Sequence, residues 1–374
     1  MGAENSNQTD KPRFVGEWVR LGELVSIKTG KLDANAADED GIYPFFTCAE
    51  NTLRINTAAY DCECVLVAGN GDLNVKYYNG KFNAYQRTYI IEVLDRRVLD
   101  PFYLYQFLKS YVQTLREQSI GGVIKYIKLC NLKDALIPLP DVQIQQNIVG
   151  EFEKMDLVLE KQSDLSSHLD ALVKSRFVEM FGSRDVGYKY PSKPLGELAT
   201  FKSGASLPKD REQSSGDVIY AKVGDLNLTE NSLAIVTSRV FVDAKTAGKH
   251  IIPEGAVVFP KRGGAIATNK KRITVQECCL DLNLMSVIPG KKLGTRYLLA
   301  WFDSFDLADI ANGSAVPQIN NKDLNPLQIP LPPLSLQQEF ATCVAQVDKL
   351  RFAIQEQIKK LETLKASLMQ EYFG

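Results

Sequence analysis

Apolar residues follow two rhythms along this chain, and the switch between them happens twice. From about Arg20 to Pro140, short runs rich in Val, Ile, Tyr and Phe are broken by turn signals, as in CVLVAGNGDLN and VKYYNGKFNAYQRTYIIEV. That texture predicts strands and turns, with Asn79-Gly80 as a type I′ hairpin turn and one short helix near Pro101 to Glu117. Beyond Pro140 the spacing turns helical: Ile144, Ile148, Phe152, Met155, Leu159, Leu165, Leu169, Leu172 and Met180 step along a stretch whose one glycine is Gly150. The second switch is cleaner, with Leu336, Phe340, Val344, Val347, Leu350, Ile354, Ile358, Leu361, Leu364 and Leu368 three or four apart. Prolines stop each helix from growing backwards, Pro138 and Pro140 in one place and Pro330, Pro332 and Pro333 in the other.

The rhythm repeats because the sequence does. IPLPDVQIQQNIVGEFEKMD begins at Ile137 and returns at Ile329 as IPLPPLSLQQEFATCVAQVD, 192 residues later. RLGELVSIKTG at Arg20 returns as PLGELATFKSG at Pro194, and each half closes on an FG, at Phe181-Gly182 and Phe373-Gly374. The second copy is roughly 18 residues longer between Gly204 and Val257, with the extra length expected around DLNLTENSL and DAKTAGKH. A period this long makes each copy a domain plus an appendage, not a solenoid repeat. At ~1.5 Å per residue the first helix is a rod of ~58 Å, too narrowly apolar to stand alone. The fold class expected is therefore α+β: two β-rich domains, each followed by a long α-helix, the helices paired as an antiparallel coiled coil with pseudo-twofold symmetry. The boundaries expected are a disordered segment over 1–15, a first domain over 16–140, a central helix over 141–182, a second domain over 183–332 and a C-terminal helix over 333–374.

Composition narrows the function by exclusion. A net charge of −1 with 45% hydrophobic and 24% charged residues describes a soluble globular protein that advertises no polyanionic partner by bulk charge. Seven cysteines without a CxxC pair read as reduced thiols, and two histidines, His168 and His250, leave a zinc site nothing to build on, so no metal is expected. The polar start and the lack of a long apolar run predict no export and no membrane, hence a cytoplasmic chain. There is no GxxxxGK[ST] loop and no NPPY or DPPY motif, and AGNG (Ala68 to Gly71) and KRGGA (Lys261 to Ala265) are not GxGxxG. No catalytic residue is assigned.

The duplicated phrases PLPDVQIQQNI and PLPPLSLQQEF, with the LGEL openings at Leu21 and Leu195, resemble the specificity subunits of type I restriction-modification systems over nearly the whole chain. The resemblance implies two target recognition domains that read a bipartite double-stranded DNA sequence, one half-site each. It also implies two methyltransferase subunits and restriction subunits as partners. S-adenosylmethionine, ATP and Mg would then be held by those partners, with no cofactor on this chain. A duplicated protein-binding scaffold, or the recognition chain of a modification-only methyltransferase complex, are the alternatives.

Reading DNA needs cations for phosphates and polar side chains for base edges. Two matched stretches supply them. GNGDLNVKYYNGKFNAYQR in the first copy offers Lys76, Tyr78, Asn79, Lys81 and Arg87; FPKRGGAIATNKKR in the second offers Lys261, Arg262, Asn269, Lys270, Lys271 and Arg272. Aligning Val65 with Val257 puts Gly71 on Gly263. A second matched pair just before the helices, GGVIKYIKLCN and GSAVPQINNKD, offers Lys125, Lys128, Gln318, Asn320 and Lys322. Solvated hairpins and loops, soluble because they are basic, are the plain alternative for both pairs.

Overall fold

The structure, a computed structural model, describes residues 16–313 and 316–374; the expected disordered segment 1–15 lies outside the described residues. The chain divides into two compact units, one running to Ser163 and completed by Gln355–Gly374, the other Asp164–Ile354.

The first unit contains strands β1 (Glu17–Arg20), β2 (Val25–Thr29), β3 (Tyr43–Phe46), β4 (Leu53–Ile55), β5 (Tyr60–Ala68), β6 (Val75–Ala84), β7 (Thr88–Val93) and β8 (Leu136–Leu139), with helices α1 (Leu21–Leu24), α2 (Pro101–Gln118) and α3 (Leu129–Lys133). Six strands form one sheet in the order β2-β7-β5-β6-β3-β4, while β1 pairs with β8. Strand β5 is apolar on both sides because both faces are covered: Val65 and Val67 pack under Tyr103, Leu104 and Phe107 of α2, and Cys64 and Leu66 face Phe46 and Phe82. Helix α2 starts where Asp100 accepts hydrogen bonds from the Phe102 and Tyr103 amides, with Pro101 at the first helical position.

One expected element is absent. Asn79-Gly80 is not a hairpin turn but the middle of β6, with Asn79 opposite Glu63 and Gly80 opposite Cys62. The local preference of the Asn-Gly pair yields to a long ladder with β5, and Gly80 accommodates it at φ +136°. The turn between β5 and β6 is instead Gly69–Asn74, where Gly71 adopts φ +69°.

Two 40-residue helices run through both units: α4 (Val142–Phe181) and, at the other end of the chain, α8 (Leu334–Phe373). Between them the second unit holds strands β9 (Gly182–Ser183), β10 (Gly187–Tyr188), β11 (Ser192–Pro194), β12 (Ala199–Ser203), β13 (Val218–Ala221), β14 (Ala234–Ile235), β15 (Phe241–Val242), β16 (Val257–Pro260), β17 (Arg272–Thr274), β18 (Cys278–Leu280), β19 (Leu284–Pro289) and β20 (Gln328–Pro330), with helices α5 (Ala244–Ala247), α6 (Thr295–Phe302) and α7 (Asn321–Leu324). Its strands split into a five-stranded sheet, β12-β19-β16-β17-β14, and a three-stranded one, β15-β13-β18. The longer stretch between Gly204 and Val257 supplies β13, β14 and β15, and its two suspected loops are short helical turns, Val223–Asn227 and Thr229–Asn231 in one and α5 in the other.

The repeated phrases have repeated contacts. Leu21 N donates to Ala135 O and Leu195 N to Leu327 O, each at 2.8 Å, so LGEL closes against the strand before the helix in both copies. Gly30 and Gly204 end the same phrase because a Cβ would lie 2.2 Å from Ala84 O and 2.0 Å from Asp281 O. The first glutamine of each QQ pair is buried and pins a helix start. Gln145 accepts from Asp100 N and donates to Val98 O and Pro140 O, all at 2.8 Å; Gln337 accepts from Gly294 N and donates to Lys292 O and Pro332 O, at 2.8, 3.1 and 2.9 Å.

In each unit α4 and α8 lie antiparallel. Within the first, Glu151 meets Tyr372, Asp156 meets Lys365 and Gln162 meets Gln357; within the second, Asp170 meets Arg351 and Arg176 meets Glu339. The FG endings anchor the helix tips: Phe373 packs 5.2 Å from Tyr103, and Phe181 4.9 Å from Tyr297. Not all of the expected apolar stripe is in the seam. Ile144, Leu165, Leu172, Leu350 and Leu364 are exposed, because one partner helix covers a narrow arc and a 3.6-residue turn carries every further position out of it.

Candidate nucleic-acid interface

Each unit brings three separated segments to one crossing, and the same three backbone bonds make it. In the first, Gly69 N donates to Arg87 O (2.8 Å), Gly71 N to Lys125 O (2.9 Å) and Ile127 N to Gly69 O (2.9 Å). In the second, Lys261 N donates to Asn283 O (2.8 Å), Gly263 N to Pro317 O (2.8 Å) and Ile319 N to Lys261 O (2.9 Å). The strands behind are in matching register, Val65 opposite Ile91 and Val257 opposite Val287. Gly71 and Gly263 share the left-handed conformation, φ +69° and +70°, which lets each turn its amide toward the third segment. The backbone is a common frame; the side chains around it differ.

The candidate residues divide on this frame. In the first unit Arg87 and Lys125 stand at the crossing and Lys128 follows it, all exposed. Asn79 and Lys81 are exposed on β6, opposite Glu63 and Asp61, with no bond to the crossing. Lys76 and Tyr78 serve the fold. The Lys76 ammonium donates to Ala49 O (2.7 Å) and Asn74 Oδ1 (2.6 Å), and burial lowers its pKa. Tyr78 packs its ring 5.1 Å from Phe46 and donates its hydroxyl to Lys81 O.

In the second unit Arg262 is exposed and bridges by its backbone to Gln318, while Lys261 donates to Ser203 Oγ (2.9 Å). Burial, and then the neighbouring Arg262 charge, lower the Lys261 pKa. Lys322 is exposed on α7, and Asn320 precedes it with its amide held by Asp323 (2.8 Å). The run Asn269-Lys270-Lys271-Arg272 turns inward instead. Asn269, at φ +52°, accepts from Leu307 N and from Lys271 Nζ. Lys271 is buried, donating to Phe305 O (3.0 Å), and its pKa is lowered by that burial. Arg272 donates to Lys271 O and Leu226 O, and Lys270 is bonded to Asn227. This basic cluster is in large part internal scaffolding.

Sequence reasoning missed Asn283, the counterpart of Arg87. Its amide group donates to Asp281 Oδ1 (2.7 Å) beside the crossing. The copies are offset by 192 residues at Gly71 and by 196 at Arg87, so a single alignment shift hides the pairing. Also missed was the tip of the third segment, where Val123 and Ile124 are exposed.

The sequence matches the family described as "Type I restriction modification DNA specificity domain" over residues 16–165 and 189–363. The chain belongs to that family, the DNA specificity subunits of type I restriction-modification systems. It is 32% identical to the type I restriction enzyme MjaVIII specificity subunit of Methanocaldococcus jannaschii, covering 98% of this chain and 94% of that one. It is 28% identical to the type I restriction enzyme EcoDI specificity subunit of Escherichia coli, covering 96% and 88%. The fold is similar to that of the type I restriction-modification S subunit from M. genitalium, with TM-score 0.59, 16% identity and coverage of 100% and 98%. No helix of the described residues is long and apolar enough to cross a membrane.

Proposed function

We propose that this chain reads a bipartite duplex DNA target, one half-site with the domain over 16–140 and the other with the domain over 183–332, and carries out no catalysis itself. The observation that carries the reading is the duplicated crossing: identical backbone bonds in both units, surrounded by different side chains, all exposed except the half-buried Gln318. Arg87, Lys125 and Lys128 surround one; Arg262, Gln318 and Lys322 surround the other. A constant frame with variable side chains is what two readers of different half-sites require.

Methylation and cleavage would belong to partners, two methyltransferase subunits and restriction subunits, which would hold S-adenosylmethionine, ATP and Mg in a cytoplasmic complex. Exposed Val158, Leu165 and Leu172 recur every seven residues along α4, and Leu350 and Phe352 are exposed on α8. Such apolar positions on helix surfaces suit docking of those subunits.

The test is to co-express the chain with its methyltransferase, map modified bases genome-wide, and measure duplex binding against salt. The expected outcome is one bipartite motif and a log–log salt slope of about −4 to −5, for about five phosphate contacts. Salt-independent binding, or methylation without a motif, would refute the reading.

A further inference from the structure

Among the exposed residues of the first unit, the two at one loop tip are of the wrong kind for a solvated loop. Ile120–Tyr126 is a closed loop, with Ile120 N donating to Tyr126 O (3.0 Å) and Tyr126 N to Ile120 O (2.9 Å). Its base is fixed: Gly71 N holds Lys125 O, Ile127 N holds Gly69 O, and the Tyr89 hydroxyl donates to Ile127 O (3.1 Å). Gly121 bends the chain at φ +121°, where a Cβ would meet Ile124 O at 2.5 Å. A well-tied base therefore presents Val123, wholly exposed, and Ile124, 62% exposed, to solvent.

We infer that Val123 and Ile124 form an apolar wedge that enters a base step of the half-site read by the first domain, partly unstacking it. This rests on the proposed reading of DNA and goes further, assigning the loop a mode of recognition. Three observations select DNA over a protein as the occupant. The tip adjoins exposed cations: Lys125 follows Ile124 directly, Lys128 lies three residues further on, and Arg87 meets the same crossing through its backbone; such charges suit nearby phosphates and would be costly at the centre of a protein interface. Even counted with the less exposed Ile120, Tyr126 and Leu129 beside them, the side chains of this one loop fall far below the roughly 800 Å² per partner of a stable protein contact. And the tip projects from the same crossing that presents the polar readers. Aliphatic wedges of this size pry apart stacked steps, at a cost that depends on the sequence being opened, so the loop contributes specificity without a base-edge hydrogen bond. In the second copy the sequence positions matching Val123 and Ile124 hold the smaller residues Ala315 and Val316.

The test compares wild type with the double variant Val123→Ser, Ile124→Ser and with Lys125→Ala. Each is assembled with the methyltransferase on a duplex carrying the mapped motif, and permanganate oxidation of unstacked thymines is read out. Wild type is expected to show a reactive step in the first half-site that the double variant loses, with affinity for that half-site falling about tenfold as two buried aliphatic side chains are lost. Lys125→Ala should weaken binding and keep the reactive step. Reactivity that persists in the double variant, or its absence in wild type while both half-sites are still read, overturns the wedge and leaves the reading intact. A double variant that binds DNA normally but no longer assembles would make the loop a protein contact and equally overturn it. Failure of the wild-type complex to discriminate any sequence would instead overturn the underlying reading.

Discussion

Arg262 and Lys271 sit in one basic run of the sequence, yet they belong to different problems. Arg262 is exposed at the crossing, so Arg262→Ala is expected to leave stability within about 0.5 kcal/mol and to cost ~1–3 kcal/mol at a single base position of the second half-site. Motif mapping checks this: relaxation at one base is the expected result, and a uniform loss across sequences would demote Arg262 to a phosphate contact. Lys271→Ala should do the reverse, lowering stability by about 2–3 kcal/mol through the cavity left in the core, the orphaned Phe305 carbonyl and the lost bond to Asn269, with the motif unchanged. Cysteines divide in the same way. Cys278 and Cys279 are buried, and burial pushes their thiols up to about 12 and about 11, whereas Cys130 is exposed. Iodoacetamide at neutral pH should label Cys130 and spare that pair. Because the unfolded thiols lose protons from their ordinary 9.0 while the folded ones keep them, stability falls as pH rises above 9. Urea titrations of Cys278→Ala, Cys279→Ala should show a shallower fall, by up to about 1.4 kcal/mol per pH unit for each thiol.

Elements were the most legible level of the sequence, and where they failed the failure is instructive. Periodicity located both long helices because an apolar stripe and its stopping prolines are local signals. Asn79-Gly80 misled because strand pairing is not local: β5 supplies eight partners to β6 and carries it straight through the turn signal. The QQ phrase was visible as a repeated word, but its chemistry was not, since two of the three groups that each of Gln145 and Gln337 binds come from segments some 45 residues away. That chemistry gives a prediction. Gln145→Ala or Gln337→Ala leaves one buried amide and two carbonyls without partners and should cost about 2–4 kcal/mol in urea unfolding. Gln146→Ala, one residue on and outside these bonds, should cost under about 0.5 kcal/mol; equal losses at the two positions would refute the latch.

At the scale of the whole molecule, duplication made the two domains legible, while the candidate contacts were legible only as stretches. Lys76, Lys271 and Arg272 looked like DNA contacts because composition records charge and not direction; burial and internal bonds turn them inward. Since each crossing is closed by bonds within its own unit, exchanging Arg20 to Ile137 for the matching segment of a related chain should change one half-site of the methylation motif and leave the other intact. Loss of both together would mean that the domains do not read independently.

The return of α8 to the first unit also sets an order of events. A domain that emerges early from the ribosome ordinarily folds as soon as its own residues are out. Here Tyr103 and Phe107 wait for Phe373, and Phe152 for Tyr372. The nascent first unit is therefore expected to hold an uncovered aromatic seam while some two hundred further residues are translated, a surface of the kind that chaperones bind. A ribosome stalled anywhere before Phe373 leaves that seam open, so quality control can recognise an unfinished chain by a surface at its beginning.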